Sequence, residues 1–341
     1  MNKLVTIAIP VYKSLSYLPN ALQAVEQQDY PELEVIISDN GMNGSQLTNV
    51  IEKHYFKPYK LRQNATTVDV VTHFNQLIEA ASGEYFLLLC DDDEISANYV
   101  SELVTTLEKY PQAAVALSRQ DVIDASGAVT SSSIDNLPSL MSGEDFLKLW
   151  CLKKHGFKCF ITYLVKTAAV KQAGGYTNFP RGFHSDGALL AKLCLNQEIA
   201  FSKQCTFRWR RYGASNGDTS TTQDLTKATK LFLHFLESDP INLEFAQRYP
   251  EKWRQFQQWL VQLAWSIYLK KLSEVVPGQL STLDKLKIAL SMPQVPNYYV
   301  RNLDRLIKDF FPQLHQVYRM VRYGDASRKK DPRSVGEIGA E

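Results

Sequence analysis

Net charge is almost absent from this chain. Its 341 residues carry 38 Lys and Arg against 36 Asp and Glu, which leaves +2 with histidine neutral. A nucleic acid as main partner would demand a cationic surface, so that class is excluded. Cysteine is scarce and scattered: Cys90, Cys151, Cys159, Cys194 and Cys205 are odd in number and sit mostly among apolar neighbours. No CxxC or Cys/His spacing suggests zinc, and the five read as reduced core thiols of a cytosolic protein. Long apolar runs are missing too, since none reaches the roughly eighteen residues a membrane helix needs. The opening segment, residues 1–10, has a short apolar run without an h-region or small-residue cleavage site, so no signal peptide is expected. No internal repeat is visible. What is plentiful is core material: 45% of residues are hydrophobic and 11% aromatic, which excludes global disorder.

The first 120 residues alternate strand and helix signals. Strands are expected at 5–11, 34–38, 59–63 and 84–90, with helices at 17–27, 46–54, 68–81 and 97–109. Leu18, Leu22 and Val25 share one face of the first helix; Val71, Phe74, Leu77 and Ile78 share one face of the third. Such alternation predicts an open α/β sheet wound by right-handed crossovers, with ligands beyond the carboxyl ends of its strands. A hairpin is expected around Asp124-Ala125-Ser126-Gly127, a mobile Ser-rich loop over 130–142, a helix at 143–151 and a strand at 159–165. From about Thr222 the pattern is helical.

The segment Glu84-Tyr85-Phe86-Leu87-Leu88-Leu89-Cys90-Asp91-Asp92-Asp93 concentrates the chemistry. Apolar side chains at that density fit a strand buried on both faces. Three adjacent carboxylates at its end repel one another unless a cation or solvent offsets them. Hard oxygen donors there suit Mg²⁺ or Mn²⁺, which can hold a diphosphate. A solvated turn capping the next helix is the plain alternative.

In order and spacing, Ile9-Pro10-Val11-Tyr12, then Ile37-Ser38-Asp39-Asn40-Gly41, then Gly83-Glu84-Tyr85 leading to Asp91-Asp92-Asp93, resemble the family 2 glycosyltransferases of GT-A fold. The resemblance covers about residues 3–215. It implies a nucleotide-sugar donor, with Pro10, Val11 and Tyr12 against the nucleoside and Asp39 accepting from a uracil or thymine imide. Asp39 read alone is equally an Asx-turn residue. Asn64 and Asn75 fall where the family keeps polar residues around the nucleotide; as plain residues they are a strand-end cap and a helix-face amide. The resemblance implies a DxD-type site in which Cys90 occupies the usual first Asp position. Asp92 and Asp93 are then the expected metal ligands, with Asp91 turned toward ribose or a backbone N–H.

Gly174-Gly175-Tyr176 followed by His184-Ser185-Asp186-Gly187 is similar to the family's Gly-Gly…Glu-Asp segment, which implies Asp186 as catalytic base and makes His184 a weak acceptor contact. Asp186 alone would read as an N-cap. Phe207-Arg208-Trp209-Arg210-Arg211 resembles the segment that approaches the diphosphate, implying nucleotide contacts for Arg208, Arg210 and Arg211; a cationic strand edge is the other reading. Alternation puts Arg208 and Arg210 on one face, with Trp209 and Arg211 on the other. The Gly/Ser/Thr-rich tract 213–222 has the composition of a lid.

The expected organisation is therefore a GT-A catalytic domain over 1–222 (nucleotide side about 1–120, acceptor side about 121–222), a helical C-terminal region over 223–325 and a disordered tail over 326–341. Between Arg301 and Lys330 stand eight Lys and Arg against three Asp on an amphipathic pattern. That pattern fits either a helix packed on the catalytic domain or a peripheral contact with the inner face of a membrane. The function expected is metal-dependent, inverting transfer of a sugar from a UDP- or dTDP-type donor to a glycan or lipid-linked acceptor, in surface polysaccharide biosynthesis. A sugar nucleotidyltransferase would want a Gly-rich, cationic loop after the first strand, which Lys13-Ser14 does not supply. A degenerate glycan-binding module would not need Asp39, the Asp triplet and Asp186 together.

Overall fold

The computed structural model describes residues 2–133, 137–151, 159–213, 220–275 and 281–292. One compact unit runs to Pro277 and a second begins at Gly278.

The first half of the larger unit is built as the alternation predicts. β1 (Val5–Val11), α1 (Leu18–Glu26), β2 (Leu33–Asp39), α2 (Ser45–His54), β3 (Lys60–Gln63), α3 (Val70–Ala80) and β4 (Tyr85–Leu88) follow in order. β1 is buried along its whole length and pairs in parallel with β2 on one side and β4 on the other. The pairing register sets Val11 beside Asp39, so both strands finish at one edge. α3 starts where Asp69 caps it, its carboxylate accepting from the N–H groups of Val71 and Thr72.

The second half departs from simple alternation. β5 (Glu94–Ile95), α4 (Tyr99–Lys109), β6 (Ala113–Ile123), β7 (Val129–Ser132), β8 (Leu140–Ser142), α5 (Gly143–Cys151), β9 (Leu164–Lys166), α6 (Thr167–Gln172), α7 (Ser185–Cys194) and β10 (Glu198–Arg210) follow. The sheet order is β3-β2-β1-β4-β9-β6-β10-β5, with β7 on β6 and β8 on β10. β9 inserts antiparallel between β4 and β6, while β10 runs parallel to β6. Two expectations are corrected here. The strand expected over 159–165 shrinks to β9, because the Gln120 side chain takes over the Cys159 backbone: its amide donates to the Cys159 carbonyl and its oxygen accepts the Cys159 N–H at 3.3 Å. The expected loop over 130–142 contains β7 and β8, and its residues 134–136 lie outside the described ones.

α8 (Thr222–Ser238), α9 (Pro240–Arg248) and α10 (Pro250–Val275) complete the larger unit. Thr221 and Asp224 form a reciprocal capping box that starts α8. These helices share the compact unit with the sheet. The smaller unit holds α11 (Thr282–Ser291). The basic stretch 301–330 and the tail 326–341 lie outside the described residues, as do residues 214–219 of the Gly/Ser/Thr-rich tract. Among the described residues no helix is long and apolar enough to cross a membrane.

Candidate active site

β1, β2 and β4 end at a common edge, and the loops that leave them interlock. The Tyr12 N–H donates to Asp91 Oδ2 at 3.2 Å, joining the end of β1 to the Asp triplet. The Tyr12 carbonyl accepts from Asn43 Nδ2 at 2.6 Å, joining β1 to the turn after β2. A Cβ on Gly41 would stand 2.5 Å from that carbonyl, so only glycine lets the two loops approach so closely.

Asp39 organises this turn. Its Oδ1 accepts from the Gly41 N–H (2.9 Å) and Asn43 Nδ2 (2.9 Å); its Oδ2 accepts from the N–H groups of Asn43 (2.8 Å) and Gly44 (3.1 Å). All four lone-pair directions of a buried carboxylate are thereby used. The Asx-turn reading describes this geometry, and a nucleobase imide would have to displace one of these donors. Asn64 spends its amide on Asn40 Oδ1 at 2.9 Å. Asn75 turns both ends of its amide to the Tyr176 backbone, Nδ2 to the carbonyl at 2.9 Å and Oδ1 from the N–H at 2.8 Å. It splices α3 to the Gly-Gly-Tyr segment and keeps one N–H and one lone pair.

The Asp triplet is crowded, with Asp93 buried and Asp91 and Asp92 half-buried. Burial, reinforced by Asp92, pushes Asp91 up to about 7 against the pull of the Tyr12 N–H. Burial likewise raises Asp92, opposed by a hydrogen bond from the Tyr212 hydroxyl, and raises Asp93 well above the usual range with help from Asp92. One donor atom from each of Cys90, Asp92 and Asp93 lies within 4.8 Å of the other two. Desolvated carboxylates so close together lack the compensating charge a divalent cation would bring, and two hard oxygen donors fit one. Cys90 adds a thiol, held protonated by burial and by the three carboxylates. Neither a core thiol nor a substitute at the first Asp position describes Cys90 fully, since its sulfur lies with the Asp92 and Asp93 carboxylates.

Arg210 is also corrected. Its side chain is 2% exposed and fully engaged. Nε donates to the Asp92 carbonyl at 2.9 Å, Nη1 to the Asp124 carbonyl at 2.9 Å, Nη2 pairs with Glu94, and the guanidinium lies 4.6 Å from the centre of the Tyr17 ring. Its backbone N–H donates to Asp93 Oδ1 at 2.8 Å. Arg210 therefore clamps the acidic turn from behind instead of reaching a diphosphate. Arg208 shares its face, half exposed and 3.7 Å from Glu94. Arg211 and Trp209 face the other way, as alternation requires, with the guanidinium 5.4 Å from the Trp209 ring.

Asp186 stands in the first turn of α7. Arg181, Gly182 and His184 all take left-handed φ (59°, 69° and 74°), a tight turn that delivers the first turn of α7. Ser185 Oγ anchors it on the Thr177 carbonyl at 2.7 Å, and Gly187 lies against Trp150. Burial raises Asp186, opposed by the N–H groups of its own helix start. Asp186 and the triplet share a neighbourhood: beyond its burial, the Cys159 thiol is raised by both Asp93 and Asp186, and Tyr176 by Cys90 and Asp186. The Tyr163 hydroxyl, buried and without a hydrogen-bond partner among the described residues, also feels Asp186; no sequence signal marks it.

His184 is corrected as an acceptor contact. It is buried, Nε2 meets Thr229 Oγ1 of α8 at 3.1 Å, and its ring stacks on Phe232 with centroids 4.9 Å apart. Burial drops its pKa to about 3, so it is a neutral docking residue. About two turns along α7, Lys192 Nζ donates to the Ala173 carbonyl at 2.5 Å and lies 3.8 Å from Asp239, the N-cap of α9.

Carboxylates gather beyond the carboxyl ends of a mostly parallel sheet, the place where open α/β sheets hold their ligands. Residues 6–171 match the model of glycosyl transferase family 2. An uncharacterized glycosyltransferase of Haemophilus influenzae is 25% identical over 107 residues (31% of this chain, 33% of that protein). The GalNAc(5)-diNAcBac-PP-undecaprenol beta-1,3-glucosyltransferase of Campylobacter jejuni is 30% identical over 104 residues (29% of this chain, 33% of that protein). The matches thus span about a third of those relatives' length. Among solved structures, S. aureus TarS 1-349 in complex with UDP-GlcNAc superposes with a TM-score of 0.57 at 15% identity, covering 94% of this chain and 93% of that one. A second S. aureus TarS structure gives 0.55 at 15% identity, covering 93% and 55%. These structures establish the fold.

Proposed function

We propose that the chain is a metal-dependent, inverting glycosyltransferase that moves a sugar from a UDP- or dTDP-type donor to a hydroxyl of a glycan or lipid-linked acceptor. Surface polysaccharide biosynthesis on the cytoplasmic side of a membrane is the setting this reading implies. The observation that carries it is the crowded Asp91–Asp93 turn beyond the strand ends, where one donor atom from each of Cys90, Asp92 and Asp93 lies within 4.8 Å of the other two. The likeness in fold to a protein whose structure holds UDP-GlcNAc supports a nucleotide-sugar donor.

Asp92 and Asp93, with Cys90 beside them, would hold Mn²⁺ or Mg²⁺. When bound, the ion supplies positive charge against the departing diphosphate. The rest falls to the chain itself. Pro10, Val11 and Tyr12 wall the nucleoside, and Asp39 fixes the turn that closes this wall. Asp91 keeps the end of β1 joined to the acidic turn. Asp186, lifted by burial toward a useful basicity, takes the proton of the acceptor hydroxyl as its oxygen bonds to the anomeric carbon. The bond from that carbon to the donor phosphate breaks on the opposite face, and its electron pair leaves with the nucleoside diphosphate.

Calorimetric titration of UDP, dTDP and GDP with and without Mn²⁺ tests the reading, on the native chain and on Asp92→Asn/Asp93→Asn. Metal-dependent binding of one nucleotide, lost in the double variant, is expected. Absence of binding to every diphosphate would replace the transferase with a degenerate glycan-binding module.

A further inference from the structure

Beside the acidic turn, on the far face of the end of β10, lies an open cleft of about 600 Å³ lined by Val122, Thr130, Trp209, Arg211, Tyr212 and Lys270 among others. Its size suits a ligand of one or two sugar rings. Tyr212 is the wall it shares with the site already described, since the same hydroxyl donates to Asp92. Arg210 does not reach it, being consumed on the other face.

The cleft has a distinct chemistry. Two cations line it, Arg211 from the end of β10 and Lys270 from α10, and among the described residues no carboxylate does. Among the described residues the Arg211 guanidinium has no acidic partner; it rests against Trp209, while its backbone N–H is fixed on the Ile123 carbonyl at 2.8 Å. A guanidinium beside an indole, with no acid against it, has donors to grip phosphate oxygens in pairs. The exposed β7 edge adds the hydroxyl of Thr130, and the indole offers an apolar surface to a pyranose face.

We infer that this cleft is the acceptor subsite for a phosphate-bearing glycan, with Arg211 and Lys270 on the phosphate and Trp209 beneath the adjoining sugar. The assignment rests on the transferase reading and names the acceptor class for it. A phosphate there can belong to a phosphodiester-linked glycan or to the diphosphate of a lipid-linked sugar; both present the same anion next to a ring. Arg211 thereby serves the acceptor and leaves donor binding to the other face of β10.

The test uses the full chain saturated with UDP and Mn²⁺, so that the donor side is filled. Four ligands are titrated by ligand-observed NMR: glucose 1-phosphate, methyl glucoside, a glucosyl phosphodiester dimer and farnesyl diphosphoglucose. Glucose 1-phosphate is expected to bind about tenfold tighter than methyl glucoside, and Arg211→Gln/Lys270→Gln to erase that advantage. Lys203→Gln, an exposed position elsewhere on β10, is expected to preserve it. Of the two larger ligands, whichever weakens about tenfold in the double variant identifies the source of the phosphate. Equal binding of the charged and neutral sugars, or an advantage that survives in the double variant, overturns the inference. UDP affinity measured on the same variants stays native if the donor reading holds. Its absence from the native chain would instead condemn the transferase reading itself.

Discussion

Replacing Arg210 separates a structural clamp from a phosphate ligand. Arg210→Gln keeps a polar stem but deletes the guanidinium. The Asp92 carbonyl and the Asp124 carbonyl lose their donors, and Glu94, only 18% exposed, loses its closest cation. Breaking a buried pair by removing one partner costs about 3–5 kcal/mol, because the remaining charge stays desolvated. For a chain of this size that corresponds to a melting temperature lowered by roughly 5–10 °C. Arg210→Lys restores charge without the fork and is expected to lose about 1–3 kcal/mol, since one ammonium cannot serve the two carbonyls and Glu94 together. The assay is thermal unfolding by circular dichroism, paired with UDP titration in Mn²⁺ below the melting point of each variant. The clamp predicts a large stability loss and UDP affinity within about threefold of native in Arg210→Lys. A variant that unfolds at the native temperature but binds UDP a hundredfold or more weakly, roughly, would refute the clamp and return Arg210 to the diphosphate.

Three further outcomes follow from the same geometry. Asp186→Asn is expected to slow sugar transfer by about 10²–10⁴-fold while UDP titration stays native; equal transfer rates would remove Asp186 from the base role. Gly175→Ala meets both a left-handed φ of 64° and an oxygen of Asn75 at 2.4 Å from the new Cβ, and should cost roughly 1–3 kcal/mol in urea unfolding; no loss would mean the Gly-Gly turn is softer than drawn. Buried neutral His73 and His184 have pKa values lowered by burial to about 4 and about 3, so the unfolded chain takes their protons first as pH falls below 6.5. Stability should therefore decline through that window toward pH 4, and His184→Phe should flatten part of the slope; an unchanged slope would place His184 in solvent.

Most of the nucleotide-side layout was legible in the sequence because parallel strands buried on both faces read as unbroken apolar runs, and the turns after them are punctuated by Asp, Asn and Gly. β1, β2 and the acidic turn after β4 needed no tertiary information. The other half was harder for identifiable reasons. β9 is only three residues long and antiparallel among parallel neighbours, and the Cys159 backbone that precedes it is satisfied by a glutamine side chain rather than a strand. Alternation told which arginines share a face but not what stands opposite: Glu94 and the Asp92 carbonyl reach Arg210 only through the fold. Asn75 and His184 are polar residues whose partners lie far along the chain, at Tyr176 and Thr229, and no periodicity announces such pairs.

The docking of α7 onto the later helices has a practical corollary for anyone dissecting this chain. A fragment stopped near residue 222 would strip Thr229 and Phe232 from His184 and Asp239 from Lys192, baring an imidazole and an ammonium on the very helix that presents Asp186. The seam that composition suggests is thus not a place to cut. Chimeras that exchange the C-terminal helices for those of a relative would have to carry α7 along with them, so this stretch of chain can diverge only in step with the helix beneath it.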